Sequence, residues 1–376
     1  MCKASETEVC GATGDARPDT PPAACGNGAS APGEVCFDTP QVIDTNGAAF
    51  TITDARFAHA DADEQLDLVW VDGAQFYFHL QVGGEISGAS INGPSANVRK
   101  LAPVQVSSNR VGLIAAGSDI GAWVYDAPTG GWGTGGSLLQ PTAFGPANSL
   151  ALGRVSGPDA IDAVVRYAGQ IVVASFNISA TPQPRGQAVQ IPMGESIAVG
   201  PVTSDDLDDI VYANAPGAMV IHGQVMSANG TFSMRTPTSI GAASAVALAD
   251  MNGDGHLDLV YIDSAAGRLG VAIGASNGDF ANPRTNEIIG IRPSTLEVAD
   301  IDGDGRPDVL TTTNESTQLR IARNTGDGTL EVLAPIQIGV LGDIVRADSD
   351  YDGDGAKDVI VVSTSERKIA ILTSNP

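Results

Sequence analysis

The sequence predicts an all-β fold: a seven-bladed propeller of four-stranded antiparallel blades, closed by an amino-terminal strand that completes the last blade. Three observations lead there. Three nonapeptides recur at a period of 50 residues, with first aspartates Asp250, Asp300 and Asp350. Each is flanked by the same succession of short apolar runs and Gly/Asn turns. The last repeat stops one strand short of its predecessors.

The segments ADMNGDGHLDLVYI from Ala249, ADIDGDGRPDVLTT from Ala299 and SDYDGDGAKDVIVV from Ser349 align without gaps. Such fixed-period similarity marks a repeat architecture. Weaker copies emerge when the last aspartate and the apolar run after it serve as the anchor: LDLVWV with Asp67, IDAVVR with Asp162 and DDIVYA with Asp209. With Asp258, Asp308 and Asp358 the intervals are 95, 47, 49, 50 and 50 residues. The first spans two periods, and GLIAAG from Gly112 fills it as a copy without its aspartate, which makes seven repeats.

Inside a repeat, an apolar strand such as AVALAD enters the loop and a β-branched strand such as LDLVYI leaves it. An alternating strand such as RLGVAIG follows, then a turn of the NGTF, NGDF or GDGTL kind at Asn229, Asn277 or Gly326, then a final strand. Gly and Asn accept the positive φ these turns require. No segment carries a capped 3.6-residue periodicity, so helix content is expected to be low. A lone sheet cannot bury both faces, but stacked repeats can, and ring closure covers the two ends. The final KIAILTSNP lacks an outer strand, and EVCFDTPQVIDT near the amino terminus resembles LEVLAPIQIG from Leu330. Residues near 36–43 are therefore expected to complete the blade of residues 341–374. Residues 1–35 are left as a Cys/Pro/Gly-rich tail or linker, and 36–376 as the propeller.

Lys and Arg number 20 against 44 Asp and Glu, a net charge of −24 with a pI near 4.2. Such a chain repels nucleic-acid phosphates and anionic membranes. At 43% hydrophobic residues it is not a disordered acidic chain. No apolar run approaches the roughly 18 residues of a membrane-spanning helix.

The repeated nonapeptide D-x-[DN]-G-D-G-x-x-D offers side-chain oxygens at positions 1, 3, 5 and 9 and a main-chain carbonyl at position 7. Carboxylates so close together repel unless a cation neutralises them, and all-oxygen ligation with some flexibility suits Ca²⁺ better than Mg²⁺. The expected side-chain ligands are Asp250, Asn252, Asp254 and Asp258 in repeat five. Repeat six offers Asp300, Asp302, Asp304 and Asp308, and repeat seven Asp350, Asp352, Asp354 and Asp358. The carbonyls belong to His256, Arg306 and Ala356. Position 12, where an EF-hand needs Glu, is Tyr261, Thr311 or Val361. Repeat one keeps Asp61, Asp63 and Asp67 but starts on His59, a weaker fourth site. Repeat four retains Asp205 and Asp209 in an acidic cluster with Asp206 and Asp208 and reads as a degenerate calcium turn. Repeats two and three read as vacant. Ions enclosed in this way act structurally, linking folding to calcium.

Cys2, Cys10, Cys25 and Cys36 all lie in the first tenth of the chain. Their crowding in a Pro/Gly-rich stretch points to one or two disulfides in an oxidising compartment, with free thiols or a metal site as the alternatives. The chain opens without a charged and apolar leader, and the cysteine clustering favours one having been removed, in which case Cys2 is a candidate for lipid attachment. CGNGASAPGEVC, Cys25 to Cys36, resembles the short Cys-rich repeat of surface proteins of myxobacteria and their relatives, a match that ends at Phe37-Asp38-Thr39.

The motifs DMNGDGHLD, DIDGDGRPD and DYDGDGAKD resemble the FG-GAP/VCBS family of calcium-loop propeller repeats, over roughly residues 37–376. That resemblance implies a seven-bladed propeller, structural calcium, extracellular or surface placement, and roles in adhesion or in contact with a glycan or an extracellular protein. Some relatives are polysaccharide-degrading enzymes, so the fold alone does not assign an activity. This sequence contains no H-E-x-x-H or P-loop, and it has no cysteine beyond Cys36 to act as a nucleophile. Of its four histidines, His59, His79, His222 and His256, two occupy loop positions. The expected role is a binding module, with a scaffold as the alternative and no reaction read. TGGWGTGGS from Thr129 supplies the ligand-contact candidate, Trp132, while Trp70 and Trp123 lie in strand-like runs and are expected to pack.

Overall fold

The computed structural model of the chain describes residues 8–10 and 35–374, apart from 46–50, 60–62, 64, 83–84, 96, 108–109, 127–130, 133–135, 140–144, 159–160, 178–182, 185–188, 193–195, 215–216, 223–232, 235–242, 264–265, 289–292 and 294. Among the described residues every regular element is a strand and none is a helix, as the period-2 patterning and the density of Gly/Asn turns require. The chain divides into two compact units. One comprises Ala48–Leu248 with Gly274–Ala281; the other comprises Met1–Gly47, Ala249–Ile273 and Asn282–Pro376.

The first unit contains repeats one to four as consecutive antiparallel sheets. Repeat one is built from Asp54–Ala58, Asp67–Val71, Gln75–Val82 and Glu85–Ser95 in spatial order. Repeat two uses Val98–Ser107, Arg110–Gly117 and Ile120–Asp126, with Gly131–Trp132 and Gly136–Leu139 both paired to the third strand. Ser107 faces Arg110, so only two residues join the first two strands where the late repeats have the nonapeptide. Repeat three follows with Ser149–Gly153, Ile161–Tyr167 and Gln170–Asn177, and repeat four with Ile197–Gly200, Asp209–Asn214, Gly217–His222 and Ser233–Met234.

These sheets pack face to face through alternate side chains. Val69, Val71, Phe76 and Phe78 of repeat one share a core with Leu101, Val111, Leu113, Trp123 and Tyr125 of repeat two. The rings of Phe76 and Trp123 meet edge-on at 5.2 Å. Ile114, Ala116 and Ile120 on the opposite face of repeat two join Val165, Tyr167, Val172 and Phe176 of repeat three. Val164, Ile171 and Val173 then meet Ile197, Ile210 and Tyr212 of repeat four. Strand period two puts successive side chains on opposite faces, so the sheets of repeats two and three each serve two cores. Trp70 and Trp123 are both buried, and Trp70 stacks on Tyr77 with centroids 3.9 Å apart.

In the second unit, repeat five contributes Asp258–Asp263 and Arg268–Gly274, paired from Leu259↔Ala272 to Asp263↔Arg268. A Cβ on Gly270 would lie 2.2 Å from the ring of Tyr261, its cross-strand partner, so only glycine fits there. Repeat six uses Thr295–Ala299, Asp308–Thr312 and Gln318–Asn324, and its fourth position is split into Leu330–Val332 and Ile336–Gln337. Pro335, with no N–H to donate, sits at the split. In repeat seven, Ile344–Ser349, Asp358–Ser363 and Lys368–Leu372 take their fourth strand from Gln41–Asp44, with Gln41 opposite Ile371 and Asp44 opposite Lys368. The expected amino-terminal strand thus completes the last sheet. Just before it, Cys36–Asp38 pairs with Glu8–Cys10 and places Cys10 opposite Cys36. Phe37, fully buried, joins the core that Leu310, Leu319, Ile321, Val345, Val359 and Val361 form between repeats six and seven.

Candidate metal centres in the repeated loops

The loop of each late repeat is a series of side chains that cap the main chain. In repeat five, Asp250 accepts the N–H groups of Gly253 at 2.7 Å and Gly255 at 2.8 Å. Asn252 Oδ1 accepts that of Asp254 at 2.9 Å, and Asp254 Oδ1 that of His256 at 2.8 Å. Repeat seven reproduces the set with Asp350, Asp352 and Asp354, which accept from Gly353 and Gly355, from Asp354 and from Ala356. In repeat six Asp300 accepts from Gly305, Asp302 from Asp304 and Asp304 from Arg306. These turns curl the chain so that positions 1, 3 and 5 converge in repeat six and positions 1, 3 and 9 in repeat seven. The curl needs left-handed backbone at positions 4 and 6: Gly253 and Gly255 have φ of 74° and 83°, Gly303 and Gly305 68° and 82°, Gly353 and Gly355 82° and 95°.

The convergence is measurable. One carboxylate oxygen each from Asp300, Asp302 and Asp304 lie within 4.8 Å of one another, and so do those of Asp350, Asp352 and Asp358. In repeat five Asn252 stands at position 3 and donates its amide to Asp254 Oδ2 at 2.9 Å, a bond that holds the Asp254 carboxyl below the usual range.

Asp302 is fully buried, and neither its Oδ2 nor Asp300 Oδ1, also buried, has a hydrogen-bond partner. A buried carboxylate oxygen without a donor is costly. The same burial bears on protonation. Burial, reinforced by Asp304, pushes the Asp302 carboxyl up to about 6, and burial with Asp354 nearby does the same for Asp352. Two buried oxygens without donors, flanked by a third carboxylate, fit a hard divalent cation. Asp304 also pairs with the Arg306 guanidinium.

The last aspartate of the motif has a second function. It is fully buried in all six repeats that keep it: Asp67, Asp162, Asp209, Asp258, Asp308 and Asp358. Asp308 Oδ2 accepts from Ile301 N at 3.2 Å, and its Oδ1 from Asn324 N on the third strand at 2.8 Å. Asp358 likewise accepts from Tyr351 N at 2.5 Å and from Ser374 N at 2.6 Å, and Asp258 from Met251 N at 2.8 Å. The closing carboxylate therefore brackets the loop to the sheet. Burial is the chief reason Asp308 is pushed up to about 8 and Asp358 to about 7.

The early repeats keep the bracket and rebuild the loop. At position 3, where repeats five to seven have Asn or Asp, repeat three has Ser156 and repeat four Thr203. Ser156 donates N–H and hydroxyl to Asp162 at 2.6 and 2.8 Å, and Ser175 adds a third bond to the same carboxylate. Thr203 donates both groups to Asp209 Oδ2 at 2.9 Å. A hydroxyl donor thus meets the buried charge where the late loops collect further carboxylates. In the acidic cluster of repeat four, Asp208 turns away to accept from Arg154 N at 2.7 Å, and Asp205 accepts from Leu207 N.

Repeat one differs again. His59 Nδ1 donates to the Gln65 carbonyl at 2.9 Å, the position-7 oxygen that a cation would use. Asp63 accepts from Gln65 N at 3.0 Å and Asp67 from Gln81 N at 2.8 Å, while Asp61 lies outside the described residues. The side chains of Trp132 and His222 also lie outside them, as do Cys2 and Cys25; the strand Gly131–Trp132 itself pairs with Tyr125 and Asp126. Sequence reasoning missed the hydroxyl partners Ser156, Thr203 and Ser175. The available signal was that the final aspartate outlasts the rest of the motif.

The sequence matches the FG-GAP-like repeat family model three times, at residues 202–261, 250–311 and 300–361. Comparison with curated proteins returns no match. A lectin of Agrocybe aegerita, solved for its specific recognition of non-reducing terminal N-acetylglucosamine, is similar in structure at a TM-score of 0.56 and 16% identity, over 87% of each chain. A chain in the structure of BBS1N in complex with ARL6DN is similar at a TM-score of 0.59 and 12% identity, over 90% of this chain and 96% of that one. At such identities the likeness is one of fold. Three repeats in tandem, the propeller-like all-β architecture and the loops just described agree: residues 202–361 consist of FG-GAP-like repeats, which supports the FG-GAP/VCBS propeller repeat family.

Proposed function

We propose that the chain is an extracytoplasmic, calcium-stabilised propeller of seven blades that serves as a binding module for a glycan. The calcium part rests on the donor-free buried oxygens of Asp300 and Asp302. Repeat six would hold its ion with Asp300, Asp302, Asp304 and Asp308 and the Arg306 carbonyl. Repeat seven would use Asp350, Asp352, Asp354 and Asp358 with the Ala356 carbonyl, and repeat five Asp250, Asn252, Asp254 and Asp258 with that of His256. Calcium supplies charge neutralisation at these loops and ties each loop to its sheet. Repeat one is left out of this set, because His59 already occupies its position-7 carbonyl.

The count of seven blades and the closed ring are supported by the seven sequence repeats and by the pairing of Gln41–Asp44 with Lys368–Leu372. Placement outside the cytoplasm is supported by the cross-strand register of Cys10 and Cys36 and by the disulfide at Cys36. The glycan part is supported by the fold shared with a lectin.

Glycan-array binding with N-acetylglucosamine-terminated and unrelated sugars, run in millimolar Ca²⁺ and again in chelator, tests the proposal. The expected result is saturable retention of a defined glycan class in Ca²⁺, lost on chelation. Failure to retain any glycan while the ions are bound would refute the glycan assignment and leave a protein ligand or a scaffold role.

A further inference from the structure

The loops of repeats five and six are joined through one side chain, Asn324, at the end of the third strand of repeat six. Asn324 is 1% exposed, and all four of its polar groups are engaged. Its main-chain N–H donates to Asp308 Oδ1 at 2.8 Å, the closing carboxylate of its own repeat. Its Nδ2 donates at 2.9 Å to the carbonyl of Met251, which lies between Asp250 and Asn252 in the loop of repeat five. Its Oδ1 accepts from Gly326 N at 2.9 Å, and its carbonyl from Arg306 Nε at 3.3 Å. The Met251 carbonyl also accepts from Gly328 N at 3.0 Å, and the Met251 N–H donates to Asp258 at 2.8 Å.

A continuous path therefore runs from the Asp258 carboxylate through the Met251 peptide and the Asn324 side chain to the Asp308 carboxylate and on to Ile301 N. Every member is buried. The residue at the corresponding place in repeat seven is Ser374, which donates its N–H to Asp358 but spends its hydroxyl on Asp354 of its own loop. Ser374 is too short to copy the Asn324 bridge, so repeat seven lacks that connection.

We infer that Asn324 couples the cation sites of repeats five and six, so that filling one raises the affinity of the other, while repeat seven binds independently. The inference rests on the calcium reading above. An ion held by Asp250 and Asn252 fixes the peptide between them, Met251, and so the acceptor that orients Asn324. An ion on Asp308 fixes the same asparagine from its main-chain side. A group ordered by the first ion need not be ordered again by the second, and linkage makes the effect reciprocal.

The test is calorimetric titration of the full chain with Ca²⁺ after chelator removal. The unmodified chain should bind two ions cooperatively and a third independently. With repeat seven disabled by Asp350→Asn and Asp352→Asn, disabling repeat six through Asp300→Asn and Asp302→Asn should weaken the repeat-five site by about fivefold or more, the lower end of typical coupling. In an Asn324→Ser background, which installs the residue repeat seven uses, that weakening should vanish. Three independent sites in the unmodified chain would overturn the coupling alone, as would an equal weakening with and without Asn324. Absence of any bound Ca²⁺ would overturn both the coupling and the calcium reading.

Discussion

Replacing Asp308 by alanine separates the bracketing role of the closing aspartate from its role toward a cation. The carboxylate is fully buried and receives Ile301 N at 3.2 Å and Asn324 N at 2.8 Å. Alanine leaves both donors without an acceptor, and a buried unsatisfied donor costs about 1–3 kcal/mol, so the pair amounts to about 2–6 kcal/mol. Removing a carboxylate whose burial is itself unfavourable offsets part of this and brings the expectation to about 2–3 kcal/mol. Asparagine keeps one acceptor and turns an amide N–H toward the other donor, so Asp308→Asn should fall below alanine, at about 1–2 kcal/mol. The assay is urea unfolding in chelator, where no ion contributes, repeated in millimolar Ca²⁺. Asp162→Ala provides the control in a repeat that uses hydroxyls, since it strands Ser156 N and two hydroxyls and should destabilise equally in both buffers. If Asp308→Ala left unfolding in chelator unchanged and acted only in Ca²⁺, the bracket would be wrong and the residue would be a ligand alone.

Three further outcomes follow from the same geometry. In chelator, the folded-state carboxyls of Asp302 and Asp352 near 6, Asp358 near 7 and Asp308 near 8 all lie above the ordinary 3.8, so the folded chain holds more protons than the unfolded one. Their contribution to stability is complete below 3.8 and is lost as the pH rises through 6 to 8, so chelated protein should melt higher at pH 5 than at pH 8, and a flat profile would contradict this. Gly355→Ala places a Cβ in open space but at a φ of 95°, so the loss should come from the backbone alone, about 1–2 kcal/mol by thermal melting with native circular dichroism retained. Deleting residues 34–44 removes the strand paired with Lys368–Leu372 and the buried Phe37, and should lower both the melting temperature and the steepness of the transition; an unchanged melt would count against closure through this strand.

What the sequence revealed, and what it concealed, has a physical pattern. The late loops were legible because converging carboxylates need a fixed spacing and glycines at set places, and Asp300, Gly303, Asp304 and Gly305 satisfy both in plain view. The pairing of Gln41–Asp44 with the last sheet was legible because a repeat one strand short leaves an edge that another segment must fill. The bracketing role of Asp162 and Asp209 was less visible, since their partners Ser156, Ser175 and Thr203 carry no motif of their own. A hydroxyl that meets a buried carboxylate looks like any surface serine until the fold brings them together. Repeat two was harder to place because only two residues join its first two strands and the aspartate that served as the anchor has no counterpart there. Asn324 was invisible for another reason: its meaning lies in contact with Met251, far away along the chain, and a 50-residue period aligns equivalent positions rather than neighbouring ones.

Anomalous scattering from crystals grown in millimolar Ca²⁺ probes the central claim most directly, because it locates bound ions without reference to any assumed ligand. The account predicts one peak each in the loops that begin at Asp250, Asp300 and Asp350, and none at His59, Ser156 or Thr203. Empty density among Asp300, Asp302 and Asp304 under those conditions would contradict it.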